Sequence, residues 1–342
     1  VPFRLALIGA GNISDTHARA AATLPGVEIA AVCGRSIEKA SRLASLYAAT
    51  AYSDFGALLA HPGLDAVVLG SPSGVHAEQG IAAARRGLHV LTEKPIDVSL
   101  ERADALIETA RATKVALGVL FQDRAQPSLN RLKEAIASGR LGRPLLASAR
   151  VKWHRPPEYY TGSSWRGTWA LDGGGALMNQ GIHTIDLLGW LLGPVRQVLA
   201  QTATLVHEIE VEDTALAILE FASGARATYE ATTIAYPGYA RRVEITTERG
   251  TVTIEHGRVV AADLRDGSDD LVDPAAGAPG GASTPVVSDV SGHAALMADF
   301  VAAARDGRPP VCSGVEARRS MAIASAIYES ARTGALARVD DR

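Results

Sequence analysis

The stretch Phe3-Arg4-Leu5-Ala6-Leu7-Ile8-Gly9-Ala10-Gly11-Asn12-Ile13-Ser14 decides the fold. Residues 4–8 form a short apolar run of strand length, and two glycines separate it from a helical pattern that follows. A strand, a tight glycine turn and a helix, in that order, make the turn that receives a dinucleotide pyrophosphate. Gly9 permits the turn, Gly11 lets a phosphate approach the backbone, and Ser14 stands where a third glycine often lies, small enough for close helix–strand packing. Asn12 and Ile13 open the helix, whose unpaired N–H groups face the anion.

Outward from this turn the alternation repeats. Strand-like runs at 27–33, 66–69, 89–92 and 115–121 interleave with helical patterns at 17–24, 37–47, 55–60, 76–86 and 100–113. Strand then helix, repeated, predicts a doubly wound parallel sheet with helices on both faces, a Rossmann domain over residues 1–123. Beyond Arg124 the rhythm changes. A helix near 129–138 and a strand near 145–153 lead to the stretch Gly173-Gly174-Gly175, and a helix continues from it through Asn179, His183 and Asp186. Residues 198–260 then read as successive strands with turns at Ser223-Gly224 and Arg249-Gly250, as in an antiparallel meander. The expectation for 124–342 is an α+β domain with a large open, mostly antiparallel sheet, closed by two helices. Residues 263–292, rich in Gly, Ala, Pro, Ser and Asp, read as a mobile surface loop.

Composition excludes several classes. The formal net charge of -3 offers no basic field for nucleic acid. Two cysteines, Cys33 and Cys312, are too few for a disulfide framework and lack metal-ligand spacing, so no metal is expected. No apolar run reaches the roughly 20 residues of a membrane span, and residues 3–8 run straight into Gly9 as a strand does, unlike a signal peptide. A cytoplasmic protein without membrane or nucleic-acid partners is expected.

The end of the second strand carries the nucleotide choice. It reads Ala31-Val32-Cys33-Gly34-Arg35-Ser36, without the acid that accepts from a ribose 2′-OH. Arg35 and Ser36 suit a 2′-phosphate, so NADP is expected ahead of NAD; the alternative is a solvated arginine beside a helix cap, Ser36. Ser71, Pro72 and His76 follow one strand and Glu93-Lys94-Pro95 the next. Ligands of open α/β sheets bind outside the carboxyl ends of the strands, so both loops are expected to border the nicotinamide. Lys94 there can hold a substrate hydroxyl and favour its alkoxide. Asn179 and His183, four apart, share a helix face and can address one small molecule.

These motifs together resemble the Gfo/Idh/MocA family, which includes glucose-fructose oxidoreductase and inositol dehydrogenases. The resemblance covers essentially the whole chain, through Gly9 to Ile13, Pro72 to His76, Glu93-Lys94-Pro95, Arg124, and Gly174-Gly175 to His183 and Asp186. It implies a Rossmann domain followed by an open-sheet domain often used for oligomerisation. It also implies that Lys94 contacts the reacting hydroxyl and that His183 is the general acid/base. Many members have Asp four residues before that histidine; here it is Asn179, which resembles the Met-Asn-Gln-x-Ile-His variant of some nucleotide-sugar dehydrogenases and points to a substrate ligand. Asp186, three residues past His183, can orient that ring or simply pair locally on the helix, and the helix-structural role is the default reading.

Gln122, Asp123 and Arg124 are expected to face the cleft, with Trp153-His154-Arg155, Tyr159, Tyr160, Trp165 and Arg166 offering aromatic faces for sugar C–H groups and cations for an acid or phosphate. Trp165 and Trp169 equally suit a loop anchor, and His61, His207 and His256 read as surface residues. The expected activity is hydride transfer between a sugar or polyol carbinol and the nicotinamide of NADP or NAD, in a homodimer or homotetramer. A glycosidase using transient oxidation and a non-catalytic ligand sensor are the rivals.

Overall fold

The computed structural model describes residues 1–275 and 289–340. The chain divides into two compact units, one of Val1–Gln122 with a return segment ending at Arg318, the other running from Asp123 and again from Arg319. Each is built on its own sheet.

The first unit begins β1 (Phe3–Ile8), α1 (Asn12–Ala22), β2 (Val27–Cys33), α2 (Ile37–Ser45), β3 (Thr50–Tyr52), α3 (Phe55–Leu59), β4 (Ala66–Leu69), α4 (His76–Ala84), β5 (His89–Thr92), α5 (Leu100–Thr113) and β6 (Leu117–Val119). The strands pair in the order β3-β2-β1-β4-β5-β6, all parallel. Strand order reverses at β1, which opens a crevice at the carboxyl ends of β1 and β4, where such sheets receive nucleotides. Helices α2, α3 and α5 are capped by Ser36, Asp54 and Ser99, whose side chains accept from the amides of Lys39, Ala57 and Arg102. Helix α1 has Gly11 at that position and no side-chain cap. β3, only three residues long, falls outside the runs read from the sequence because so short a segment shows no period.

The chain continues through α6 (Pro127–Ala137), β7 (Pro144–Lys152), α7 (Glu158–Thr161), α8 (Ile182–Leu192), β8 (Val195–Ala203), β9 (Thr214–Phe221), β10 (Arg226–Thr232), β11 (Arg242–Thr247), β12 (Gly250–Glu255) and β13 (Arg258–Leu264). Then come α9 (Ser291–Asp306), which packs on α1, α10 (Gly314–Thr333) and β14 (Ala337–Arg338). The second sheet has the order β13-β12-β11-β7-β10-β9-β8-β14. Its pairs are antiparallel except β7 with β10. Between β7 and β10 lie α7, α8, β8 and β9, a connection long enough for the crossover that a parallel pair needs.

One face of this sheet is buried, with Ala149, Ala217 and Tyr229 among its residues, and packs on the turn Ala176–Gly181. On the alternate positions Leu146, Leu199, Leu216 and Ile218 are exposed, Leu199 lying in register with Ile218. The turn Ala176–Gly181 is π-helical, and α winding starts only at Ile182, a departure from the single helix read in the sequence. A Cβ at Gly175 would collide with the Glu212 carbonyl oxygen, and one at Gly181 with the Tyr229 hydroxyl, so the close fit to the sheet requires both glycines.

Within the stretch 263–292, residues 263–275 carry structure that the composition does not suggest. β13 extends to Leu264, Leu271 is buried, and the buried Asp273 accepts from Ser128 at 3.1 Å and Arg258 at 3.2 Å. Residues 276–288 of that expected loop lie outside the described residues. Among the described residues no helix is long and apolar enough to cross a membrane.

Candidate active site

In the first unit the glycine turn is shaped for a phosphate. Gly9 has φ +113°, and a Cβ there would stand 2.7 Å from the Gly70 carbonyl oxygen and 2.8 Å from Ser14 Oγ. Neither the angle nor the space admits a side chain. A Cβ on Gly11 would meet nothing within 4 Å, so the uncapped start of α1, with Asn12 exposed and Ile13 half-buried, opens onto free space. An anion fits that environment. Gly34 is buried against Ala10, and Arg35 beyond it is exposed. Ser36 takes the role of helix cap, accepting from Lys39 N and donating to Glu38 Oε2 at 2.6 Å. Glu38, which the sequence reading passed over, puts a carboxylate beside the expected 2′-phosphate position.

Ser71 and Pro72 are half-buried on the loop after β4, and Ser71 donates to Gln79 Oε1 at 2.6 Å. His76 lies beneath that loop, fully buried, with Nδ1 2.9 Å from the Pro95 carbonyl oxygen and Nε2 2.9 Å from that of Ser71. Its ring joins two loops and presents neither nitrogen to a ligand. Burial holds its pKa below that of an ordinary histidine. Lys94 is half-buried, and its amide donates to Glu93 Oε2 at 3.2 Å. Glu93 is buried at the end of β5 and meets His17 from α1 and His293 from α9, neither of which carries a recognisable sequence signal. Gln122, expected to face substrate, has its amide nitrogen 2.7 Å from His293 Nε2.

In the second unit the expected substrate residues separate into two sets. Arg124 is buried and donates to both Asp186 oxygens, at 2.9 and 2.7 Å, and Ser320 donates to the same carboxylate at 2.7 Å. The fork is thus engaged in an internal pair, and Asp186 binds Arg124 and Ser320 from distant parts of the chain, not a residue of its own helix. Tyr160 is likewise buried, its hydroxyl donating to Thr233 at 3.0 Å, and burial pushes its pKa up to about 12. Asn179 donates to Asp172 Oδ1 at 2.6 Å. His183 is half-buried, close enough for its charge to act on Asp123, which Arg241 grips at 2.6 and 2.8 Å. Burial alone would raise the Asp123 pKa; Arg241 and His183 outweigh it and hold it below the ordinary range.

The remaining aromatic and cationic residues cluster. Arg166 lies 4.2 Å from the Tyr159 ring centroid and 5.3 Å from that of Trp165, while Arg155 lies 5.2 Å from Tyr159 and 5.1 Å from Trp153. The Tyr159 hydroxyl accepts from Gln180, the residue after Asn179. Trp169 donates to the Glu210 carbonyl at 3.0 Å and packs on Tyr328 as a loop anchor. Two histidines assigned to the surface are partnered: His61 sits 2.9 Å from the Tyr52 hydroxyl, and the His207 ring lies 4.8 Å from that of Tyr160.

Sequence reading missed Glu212. It is buried on the segment before β9 and accepts from Gly175 N at 3.1 Å, Leu177 N at 2.8 Å and the Tyr328 hydroxyl at 3.1 Å, while its carbonyl takes Ala176 N at 3.0 Å. It therefore collects the free amides at the start of the turn that carries Asn179 and leads to His183.

A parallel nucleotide sheet, an open glycine turn and a lysine at a strand's carboxyl end define a nicotinamide-dependent oxidoreductase. Residues 3–121 match the oxidoreductase family with an NAD-binding Rossmann fold, and 129–253 match the GFO/IDH/MocA C-terminal domain. The chain belongs to the GFO/IDH/MocA family and is an NAD(P)-dependent dehydrogenase or reductase acting on CH–OH groups. The WlbA dehydrogenase of Bordetella pertussis, solved in complex with NADH and UDP-GlcNAcA, superposes with TM-score 0.89 at 32% identity over 99% of this chain and 98% of that one. Inositol 2-dehydrogenase of Rhizobium meliloti is 28% identical over 96% of each chain. D-xylose 1-dehydrogenase (NADP(+)) 2 of Haloferax volcanii is 29% identical over 92% of each.

Burial pushes the Glu212 pKa up to about 7, against the opposing pull of its amide and hydroxyl donors. The folded protein therefore holds this proton more tightly than the unfolded chain. The resulting stabilisation is complete below the ordinary glutamate range and is lost as pH rises through about 7. Glu212→Gln, neutral throughout, should gain on the wild type by ~2–4 kcal/mol between pH 5 and pH 8.5. Urea denaturation of both proteins at the two pH values measures this, and parallel pH dependences would refute it.

Proposed function

We propose that this chain oxidises a secondary hydroxyl of a sugar or polyol, and that its substrate carries an anionic group, as a sugar acid or nucleotide sugar does. The observation that carries the reading is Lys94, half-buried at the carboxyl end of a Rossmann strand, in the same unit as a glycine turn open to phosphate. When bound, the nicotinamide supplies the hydride acceptor. The carbinol also loses the proton of its hydroxyl, and that is the work of the protein. Lys94 donates to the substrate oxygen and stabilises its developing negative charge, and His183 takes the proton. In the reducing direction His183 returns it. Asn179, fixed by Asp172, donates to a neighbouring hydroxyl.

The cations around Tyr159 support an anionic substrate. Arg155 and Arg166 hold guanidinium groups at one tyrosine whose hydroxyl meets the residue after Asn179, with Trp165 offering a further aromatic face. The similarity to a dehydrogenase captured with NADH and UDP-GlcNAcA points the same way. Oligomerisation belongs to the proposal too. The exposed Leu146, Leu199, Leu216 and Ile218 make one apolar face of the open sheet, a surface that a second copy would cover. Light scattering should return a dimer or tetramer that Ile218→Lys dissociates; a monomeric wild type would exclude it.

The preference for NADP rests on Arg35, since Ser36 is used as a helix cap, and Glu38 opposes it. Arg35→Ala should lower kcat/KM with NADP about tenfold, the loss of one charge-assisted contact, and leave that with NAD within about threefold. Equal losses with both nucleotides would remove Arg35 from cofactor selection.

Turnover is followed at 340 nm with sugars, inositols, sugar acids and nucleotide sugars, in both directions and with both nucleotides. Lys94→Met should bind nucleotide normally and lose at least about 10²-fold in kcat, in the range of one acid–base or oxyanion contact. Normal turnover in that variant would sink the mechanism, and release of an aglycone without net nucleotide change would replace dehydrogenation by glycoside cleavage.

A further inference from the structure

Glu93 stands beside Lys94, and its carboxylate is engaged inside the protein. Its side chain is only 8% exposed, one oxygen lies 2.9 Å from His17 Nε2, and the other accepts the Lys94 amide at 3.2 Å. A carboxylate only accepts, so His17 donates through Nε2, and its Nδ1 is buried with no hydrogen-bond partner among the described residues. The ring is therefore oriented by Glu93. Gly70 lets α1 lie close: a Cβ there would come within 2.9 Å of Ser14 Oγ, 3.1 Å of Ile13 Cγ2 and 3.3 Å of His17 Cε1.

His293 closes the other side, its Nε2 3.8 Å from Glu93 and 2.7 Å from the Gln122 amide nitrogen. The amide donates, so Nε2 of His293 carries no proton. Burial holds the His293 pKa down at about 4, which keeps the ring neutral. Glu93 itself is raised by burial, but the His17 hydrogen bond and the positive charges that His17, His293 and Lys94 carry when protonated outweigh this and bring it to about 2. His76 on α4 also lies within the field of Glu93. The cluster therefore sets one buried negative charge under the Lys94 backbone and hangs it from α1, the helix whose N-terminus faces the phosphate position.

We propose that Glu93 is a positioning residue, which ties Lys94 through His17 to the nucleotide-receiving helix so that nucleotide binding orders the lysine. His17, His293 and Gln122 are the scaffold of that tie. The inference rests on the reading of Lys94 as the group that meets the substrate oxygen. Attraction between Glu93 and Lys94 is mutual, so the carboxylate also favours the ammonium form. Coupling between nucleotide and lysine is reciprocal.

The test needs no substrate. Acylation of Lys94 by acetic anhydride, followed by peptide mass spectrometry across pH, reports the lysine's titration. Hydrogen exchange of the segment around Lys94, with and without saturating NADH or NADPH, reports its order. Glu93→Gln should move the acylation midpoint down by about half a pH unit or more, as loss of a neighbouring opposite charge requires. Nucleotide should slow exchange around Lys94 in the wild type and in His17→Gln, whose amide still donates to Glu93, but not in His17→Leu. An unmoved midpoint in Glu93→Gln, or equal nucleotide protection in His17→Leu, overturns the proposal. Glu93→Gln is nearly isosteric, so the midpoint stays readable should His17→Leu not fold. Turnover by Lys94→Met alongside shifted labelling would instead overturn only the catalytic reading of the lysine.

Discussion

A carboxyl group removed from water needs donors from the protein in place of the water it lost, and four such groups organise the functional parts of this molecule. Glu93 is met by His17 and by the Lys94 amide, Asp123 by Arg241, Asp186 by Arg124 and Ser320, and Glu212 by two amides and Tyr328. Each pairing fixes backbone near a residue assigned to the chemistry. Because the partners come from distant parts of the chain, each also closes a long loop and makes the local shape a product of the whole unit.

The four are not equally satisfied. Asp123 and Asp186 each have an arginine fork, an arrangement that matches both oxygens; the fork holds the Asp123 pKa down, whereas burial outweighs it at Asp186 and raises the pKa there. Glu93 has a single imidazole donor, an amide and nearby cationic character. Glu212 has neutral donors alone, and burial leaves it titrating near neutrality. The turn it holds is π-wound, and its glycines lie too close to Glu212 and Tyr229 for any side chain. Extra winding of this kind needs outside partners for its amides, and Glu212 provides them.

Much of the first unit was legible because its signals are local. The strand–glycine–helix order at Gly9 and Gly11, the Ser36 cap and the strand-ending loops at Ser71 and Lys94 depend on neighbours a few residues apart. β3, with three residues, carried too little pattern. The second unit was legible as class and less so as site: the meander shows its alternation, but the parallel β7–β10 pair joins strands far apart in sequence. Arg124 and Gln122 illustrate the limit. Both follow a strand end, where a ligand contact is expected, and both are engaged inside the protein, by Asp186 and His293 respectively.

The amino-acid order by itself determined the Rossmann class, the open sheet that follows it, the membership implied by Glu93-Lys94-Pro95 and His183, and the chemistry those side chains can perform. Periodicity, turn residues and short motifs are properties of adjacent residues, so they survive in one dimension. Only the tertiary structure decided which polar residues face inward and which partner each one has. His17 with Glu93, Glu212 with Gly175 and Asp123 with Arg241 are separated by 76, 37 and 118 positions. Nothing in the spacing of such pairs records them, because a buried charge selects its donor by proximity in the folded core.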